Sequence, residues 1–482
     1  MARPEINPRK TALDMISLYF ASGGQLREII WEGLEDSGLE DLDRRFVFSL
    51  VKGTVRYYLR SDFLISCFSK RGIEKIDPST LNILRMGAYQ AHFMDSVPSY
   101  SAVDESVRLA GRANRKAAGF VNAVMRRLTE IDDPESFIKK KLMQEGAAGE
   151  DVIPVLYSFP EWITGYWIKH FGTDAAERIC KSLNRVPVFY IWSNLRRYMS
   201  SDGDAGRESM HKELRSMGAV PLDIEAETLD PGFKKVFLPL AESRDRDGAG
   251  LFGESAMIDS TMGLKAQKLF RKGMISVQDL SSQMAVKYFL DPRPGEKILD
   301  CCAAPGGKTS FASLLMEDTG MIAAVDKSRQ KISLLEDNIG RLGIKNTRIM
   351  MSDSSSPGFL QNYPENFFDR VMVDAPCTAL GTIAKNPEAK YNRSYDDVER
   401  LSRLSVKIMC ACHPYLRPGG RMMFYTCTIS PVENGHAVRN FISLMDHGYR
   451  IAREGSTDME LQMMPYYLDS EGGYVCILEK KR

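Results

Sequence analysis

One stretch constrains this chain more than any other: Lys297-Ile298-Leu299-Asp300-Cys301-Cys302-Ala303-Ala304-Pro305-Gly306-Gly307-Lys308-Thr309. Its apolar opening reads as a buried parallel strand, and Pro-Gly-Gly reads as a tight turn. Lys308–Glu317 is compatible with a helix. Strand, glycine turn and helix together suit a nucleotide-type ligand, because the turn lets backbone approach the ligand and the helix start offers unpaired N–H groups. A phosphate-binding loop requires Gly where Cys302 stands, and no G-x-G-x-x-G occurs here. A ligand without a phosphate chain remains, such as S-adenosylmethionine. The next apolar run, Gly320–Val325, ends in Asp326, placed to accept hydrogen bonds from ribose hydroxyls. The bland alternative is that Asp326 merely caps a helix.

At 482 residues the chain is too long for one core, and about three domains are expected. Net charge is +1, so the chain as a whole gives no sign of a polyanionic partner. Locally it does. Arg108, Arg112, Arg115, Lys116, Arg126 and Arg127 fall in a run to Thr129 with no Asp or Glu. Such a run is either a solvated helix face or a set of phosphate contacts. The nine cysteines have no framework spacing, which argues for reduced thiols in the cytosol. Cys410, Cys412 and His413 invite a metal reading, but Leu401–Leu416 has helical periodicity and no second ligand cluster exists, so core packing and no metal are expected. Charged residues near the amino terminus exclude a readable signal peptide, and no apolar run approaches the roughly 20 residues of a membrane span.

Residues 1–130 read as an all-α bundle with a basic edge at Arg112, Arg115, Lys116, Arg126 and Arg127. Residues 131–271 read as a helical connector followed by a small α+β unit. In it Val188–Trp192 and Lys235–Leu238 are strand-like, Arg207–Met217 is helical, and Asp245–Gly250 is a charged loop. A core role is expected for Phe189 and Tyr190. Residues 272–482 alternate strand and helix, which predicts a mostly parallel, Rossmann-like α/β sheet. Its strands are Lys297–Cys301, Met321–Val325, Arg348–Met351, Arg370–Val373, Arg421–Tyr425 and Tyr474–Leu478. The last follows a Gly472-Gly473 turn, which allows it to run antiparallel.

Acids stand at or just beyond the strand ends, at Asp326, Asp353 and Asp374, where ligands of open α/β sheets sit. Asp353 can take the adenine amino group. Cys377 follows Asp374-Ala375-Pro376, and Cys427 follows the strand Arg421–Tyr425, so two thiols are placed near the glycine turn. Methyl transfer to oxygen or nitrogen needs no thiol. A pyrimidine ring carbon does: a thiolate adding to carbon 6 makes carbon 5 nucleophilic. The alternative is that both cysteines are small core residues.

Two resemblances follow. Ile83-Leu84-Arg85-Met86-Gly87-Ala88-Tyr89-Gln90 and Gly119-Phe120-Val121-Asn122-Ala123-Val124-Met125-Arg126-Arg127 are similar to the NusB-type RNA-binding fold. Asp300–Thr309, Asp374-Ala375-Pro376-Cys377-Thr378, Tyr425-Thr426-Cys427-Thr428 with Glu433-Asn434, Ser276-Val277-Gln278-Asp279 and Gly473-Tyr474-Val475 resemble the Sun-type RNA cytosine-5 methyltransferases, in particular their bacterial small-subunit ribosomal RNA branch. Ala384-Lys385-Asn386 departs from the paired arginines usual in that branch. The resemblance implies that Cys302, Ala303, Ala304, Pro305, Gly306, Gly307, Lys308, Asp326, Asp353 and Asp374 line an S-adenosylmethionine site. It implies Cys427 as nucleophile, Cys377 as the helper in product release, and Asp374 as part of the catalytic group. The expectation is a cytosolic, monomeric, S-adenosylmethionine-dependent RNA methyltransferase forming 5-methylcytosine in ribosomal RNA. Its rivals are a transfer RNA methyltransferase and a non-catalytic RNA-binding assembly factor.

Overall fold

The computed structural model describes residues 7–35, 37–70, 72–194, 196, 203–216, 219–221, 233–238, 255–258 and 264–482. The loop Asp245–Gly250 lies outside them. The chain divides into two compact units, one of residues 1–184 with 385–394, the other of 185–384 with 395–482.

The first unit is helical among its described residues: α1 (Pro8–Ser22), α2 (Leu26–Glu35), α3 (Asp41–Arg56), α4 (Tyr58–Phe68), α5 (Pro78–Phe93), α6 (Ser99–Ala113), α7 (Ala117–Thr129), α8 (Pro134–Gln144), α9 (Val152–Tyr157), α10 (Glu161–Phe171) and α11 (Thr173–Leu183). Capping sets several starts. Asn7, Asp77 and Asp133 each accept a first-turn N–H and each is followed by Pro, whose fixed φ suits the first helical position. The buried face of α1 is Ala12, Leu13, Met15, Ile16 and Tyr19, at helical spacing.

The segment 385–394 joins this unit from far along the chain. Lys52 Nζ donates to Lys385 O at 2.6 Å. Lys390, which is 0% exposed, donates to Arg56 O, Ser158 O and Asn184 Oδ1 at 3.2, 3.0 and 2.8 Å. Its ammonium lies 3.7 Å from the centroid of the Phe159 ring. The ring of Tyr391 packs 4.4 Å from that of Tyr58.

The second unit opens with β1 (Phe189–Ser193), α12 (Gly203–Ser216), β2 (Val220–Pro221), a short helix α13 over 233–238, β3 (Ser255–Ile258), α14 (Leu264–Arg271) and β4 (Ile275–Val277). The strands form an antiparallel sheet in the order β2-β3-β1-β4. The strand expected at Lys235–Leu238 is therefore part of a helix. Six residues are too few for period to decide, but Phe233 and Phe237 stand four apart on one helical face, and both are buried in the core. Tyr190 is buried and Phe189 packs on a core, as expected.

Then follow α15 (Leu280–Met284), β5 (Lys297–Asp300), α16 (Gly307–Leu315), β6 (Met321–Asp326), α17 (Arg329–Leu342), β7 (Thr347–Met351), β8 (Phe368–Asp374), α18 (Tyr395–Cys412), β9 (Leu416–Thr426), α19 (Gly435–Leu444), β10 (Tyr449–Ile451), β11 (Arg453–Glu454), β12 (Thr457–Asp458), β13 (Glu460–Met463) and β14 (Gly473–Lys480). The large sheet runs β10-β14-β9-β8-β5-β6-β7, with β13 also on β14. β7, β6, β5, β8 and β9 are parallel, and β14 is antiparallel to β9. Side chains alternate between two cores: Ile298, Met372 and Met423 face one, and Leu299, Val371, Val373 and Phe424 the other. Burial on both faces explains why these strands are near-continuous apolar runs. The chain winds outward from β5 to β7, then crosses back to β8. Strand order thus reverses between β5 and β8, where such sheets hold their ligands.

Candidate active site

The carboxyl ends of β5, β6, β8 and β9 deliver Asp300, Asp326, Asp374 and Thr426 to one edge of the sheet. Asp300 ties the strand to the turn: Thr309 Oγ1 donates to its Oδ2 at 2.6 Å, and burial raises its carboxyl pKa to about 7. The turn is pinned by Ala303 N to Val325 O at 2.9 Å, and Asn338 Nδ2 donates to Pro305 O at 2.8 Å. Gly306 has φ +100°, and a Cβ there would also sit 2.5 Å from Leu335 Cδ1, so only glycine fits. The neighbouring thiols diverge. Cys301 is buried with its Sγ 2.8 Å from Cys412 Sγ, in the apolar core, whereas Cys302 is partly exposed. Cys412 and Cys410 are thus core residues, as expected.

Lys308, in the first turn of α16, donates to Asp374 Oδ2 at 2.7 Å and lies 4.1 Å from the centroid of the Tyr425 ring. Burial alone would lower its pKa, but the Asp374 carboxylate outweighs it and the net shift is upward. The lysine is therefore a held cation. Asp326 Oδ1 accepts Ser328 N at 2.9 Å, and Oδ2 accepts no hydrogen bond among the described residues. The helix α17 is capped by Ser328, whose Oγ accepts Lys331 N, so Asp326 is not its cap. Asp353 lies beyond β7 and accepts Ser355 N and Oγ at 3.0 and 2.7 Å, which hold its carboxyl below the usual range.

The two thiols expected at strand ends do meet: Cys377 Sγ and Cys427 Sγ are 3.3 Å apart. Their loops are laced by backbone. Ala375 N donates to Tyr425 O at 2.9 Å, Gly381 N to Cys427 O at 3.1 Å, and Gly472 N to Gly381 O at 3.0 Å. A Cβ on Gly381 would lie 1.9 Å from Gly472 O, so this approach excludes any side chain. Contact with Cys377, together with burial, pushes the Cys427 thiol well up.

Beneath the thiols lies a residue to which the sequence reading gave no role. Glu433 accepts Thr378 N at 2.7 Å and Thr378 Oγ1 at 2.6 Å, and Thr428 Oγ1 reaches the same carboxyl at 3.4 Å. Each threonine directly follows one of the two cysteines. Glu433 is 1% exposed, and burial raises its pKa to about 7. Its place in Glu433-Asn434, shortly after the second thiol, was the available signal.

The five basic residues singled out above are at the end of α6, in the α6–α7 turn and on the last turns of α7, and all are exposed. Their side chains make no ion pair among the described residues. They lie in the first unit, and the thiols and strand-end acids in the second.

A Rossmann-like sheet with a glycine cradle, an uncapped helix start and an acid with a free oxygen at the next strand tip fits S-adenosylmethionine. The second unit is the fold and site of an S-adenosylmethionine-dependent methyltransferase. Residues 287–466 match the family model described as 16S rRNA methyltransferase RsmB/F, and residues 6–130 match the NusB family. The second unit is thus similar to the RsmB/F methyltransferases, and the front of the chain is similar to the NusB family. The chain is 28% identical over 466 residues to the "Probable ribosomal RNA small subunit methyltransferase B" of Bacillus subtilis, covering 93% of each chain. It is 26% identical to "Ribosomal RNA small subunit methyltransferase B" of an Enterobacter species, covering 92% of each. The solved structure titled PH0851 superposes with a TM-score of 0.73 at 21% identity, covering 99% of this chain and 100% of that one. No helix among the described residues is long and apolar enough to cross a membrane.

Proposed function

We propose that this protein methylates carbon 5 of a cytosine in small-subunit ribosomal RNA through a covalent bond between Cys427 and the base. The observation that carries the reading is the 3.3 Å thiol pair at the ends of adjacent strands, beside Lys308 and Asp374. One thiol suffices for a core and none is needed for methylating oxygen or nitrogen. Two at a ligand edge suit addition to a ring carbon and later release. The names of the relatives support the RNA class.

In this reading the Cys427 sulfur bonds to carbon 6 as the thiol proton passes to the ring nitrogen of the base, the carbon 5–carbon 6 double bond is broken, and carbon 5 becomes enamine-like. Bound S-adenosylmethionine supplies an electrophilic methyl on its sulfonium. Cys302–Lys308, Asp326, Asp353 and Asp374 hold the cofactor. Cys377 assists the removal of the carbon 5 proton and the elimination that frees Cys427. Glu433 keeps the two cysteine-bearing loops in register. Residues 1–130 bind RNA through Arg112, Arg115, Lys116, Arg126 and Arg127, residues 131–271 connect, and residues 272–482 carry the chemistry.

The test is one denaturing gel with both variants, unmethylated ribosomal RNA and cofactor. Cys427→Ala should methylate nothing and form no adduct. Cys377→Ala should methylate and then stall, leaving a protein–RNA adduct. An adduct only with Cys427→Ala reverses the assignment, and none with either variant removes the release role of Cys377.

A further inference from the structure

Gln278 follows β4 and precedes α15, between the small sheet and the cofactor turn. Its backbone is fixed at both ends: its N–H donates to Tyr190 O at 3.0 Å, and its carbonyl accepts Gln283 Nε2 at 2.9 Å. Asp279 next to it caps α15 through Ser281 N. The side chain is 8% exposed, yet neither Nε2 nor Oε1 has a hydrogen-bond partner among the described residues. A buried primary amide with both ends unpaired is costly unless something completes it. The amide lies against the start of α16: a Cβ built on Gly307 would be 3.8 Å from Gln278 Nε2. That helix start has no capping side chain, so its first N–H groups are also open.

We infer that Gln278 is a cofactor-binding residue that, with the first turn of α16, holds the zwitterionic amino-acid end of S-adenosylmethionine. A primary amide offers a donor group, Nε2 with two N–H, and an acceptor, Oε1, in a fixed plane. An α-carboxylate needs donors, which Nε2 and the helix N–H groups supply, and an α-ammonium needs an acceptor, which Oε1 supplies. The nucleoside end is assigned elsewhere, to Asp326 at the tip of β6 on the outer side of β5. The small antiparallel sheet thereby gains a purpose: it fixes Gln278 against the glycine turn. The inference concerns the cofactor and does not rest on which atom of the RNA is methylated.

Calorimetry on the intact protein tests it with two ligands. S-adenosylhomocysteine has the amino-acid end, and 5′-methylthioadenosine has the nucleoside and sulfur without it. Gln278→Ala should weaken S-adenosylhomocysteine by about 10- to 100-fold, the range for hydrogen bonds to charged groups. It should leave 5′-methylthioadenosine within about twofold. Gln278→Glu keeps the shape but sets a negative charge against the ligand carboxylate, so it should weaken S-adenosylhomocysteine further and still spare 5′-methylthioadenosine. Undiminished S-adenosylhomocysteine binding in both variants overturns the inference, and so does an equal loss for both ligands, which is what a purely structural role produces.

Discussion

Two lysines drawn largely out of solvent show how differently the two units use the same side chain. Lys308 in the methyltransferase unit meets a carboxylate, Asp374, and its pKa is raised. Lys390 in the helical unit meets two backbone carbonyls and a side-chain amide oxygen, and burial with nearby Arg56 lowers its pKa well below the usual value. Both lie over an aromatic ring, Tyr425 and Phe159. The charge of Lys308 is stabilised where a ligand edge can use it. The Lys390 ammonium instead ties three segment ends together, sharing Arg56 O and Ser158 O with the Tyr391 hydroxyl. Burial of a lysine therefore says little about function until its partners are named.

The largest expected effect separates the two. Lys390→Ala leaves a cavity and takes a donor from three acceptors, and it should destabilise the protein to urea by about 3 kcal/mol. Lys308→Ala should cost less than about 1 kcal/mol of stability, since Asp374 can turn to water, but cofactor affinity should fall. If Lys390→Ala denatures at the wild-type urea concentration, the contrast fails. A middle-sized effect concerns cations that are not buried at all. Reversing Arg112, Arg115 and Lys116 to Glu should weaken ribosomal RNA binding by about tenfold at moderate salt and flatten the log–log salt slope by roughly 2–3. Filter binding over a salt series measures both, and an unchanged slope makes the patch an ordinary solvated face.

The smallest effect extends the comparison to an acid. Glu433 ionises at about 7 in the fold, well above the ordinary value of 4.5, because it is buried. A raised carboxyl favours the folded state at low pH, and that contribution is lost as pH rises through about 7. Glu433→Gln removes this titration. Its stability should fall less steeply than that of wild type between about pH 5 and 8, by on the order of 1 kcal/mol. Asp300, also near 7, keeps part of the slope in both. Parallel profiles by thermal melting would show that Glu433 does not titrate there.

The sheet was legible because strands buried on both faces must be apolar throughout and end at the ligand edge, where acids and thiols break the run. Asp326, Asp374, Cys377 and Cys427 announced themselves that way. Residues whose meaning depends on distant partners did not. Lys390 reads as a solvated lysine in sequence, and only Arg56, Ser158 and Asn184, far away along the chain, give it a place. Gln278 and Glu433 stood inside recognisable motifs, yet the amide's empty surroundings and the carboxyl's two threonines are facts of three-dimensional packing. The short helix over 233–238 was misread as a strand for a related reason: the burial of Phe233 and Phe237 together decides its period. Deleting residues 1–130 to probe RNA binding would also take Arg56 from Lys390 and Lys52 from Lys385.

The late segment 385–394 has a consequence for how the protein is made. A ribosome releases residues 1–184 early, but their packing is completed by a piece that emerges about 200 residues later, roughly 10–40 s at ordinary synthesis rates. During that wait the bonds from Lys390 to Arg56 O, Ser158 O and Asn184 Oδ1 are not yet made, and the helices that bear these groups reach their final packing only once the downstream unit is largely synthesised. The front of this chain is first in sequence and among the last to finish folding.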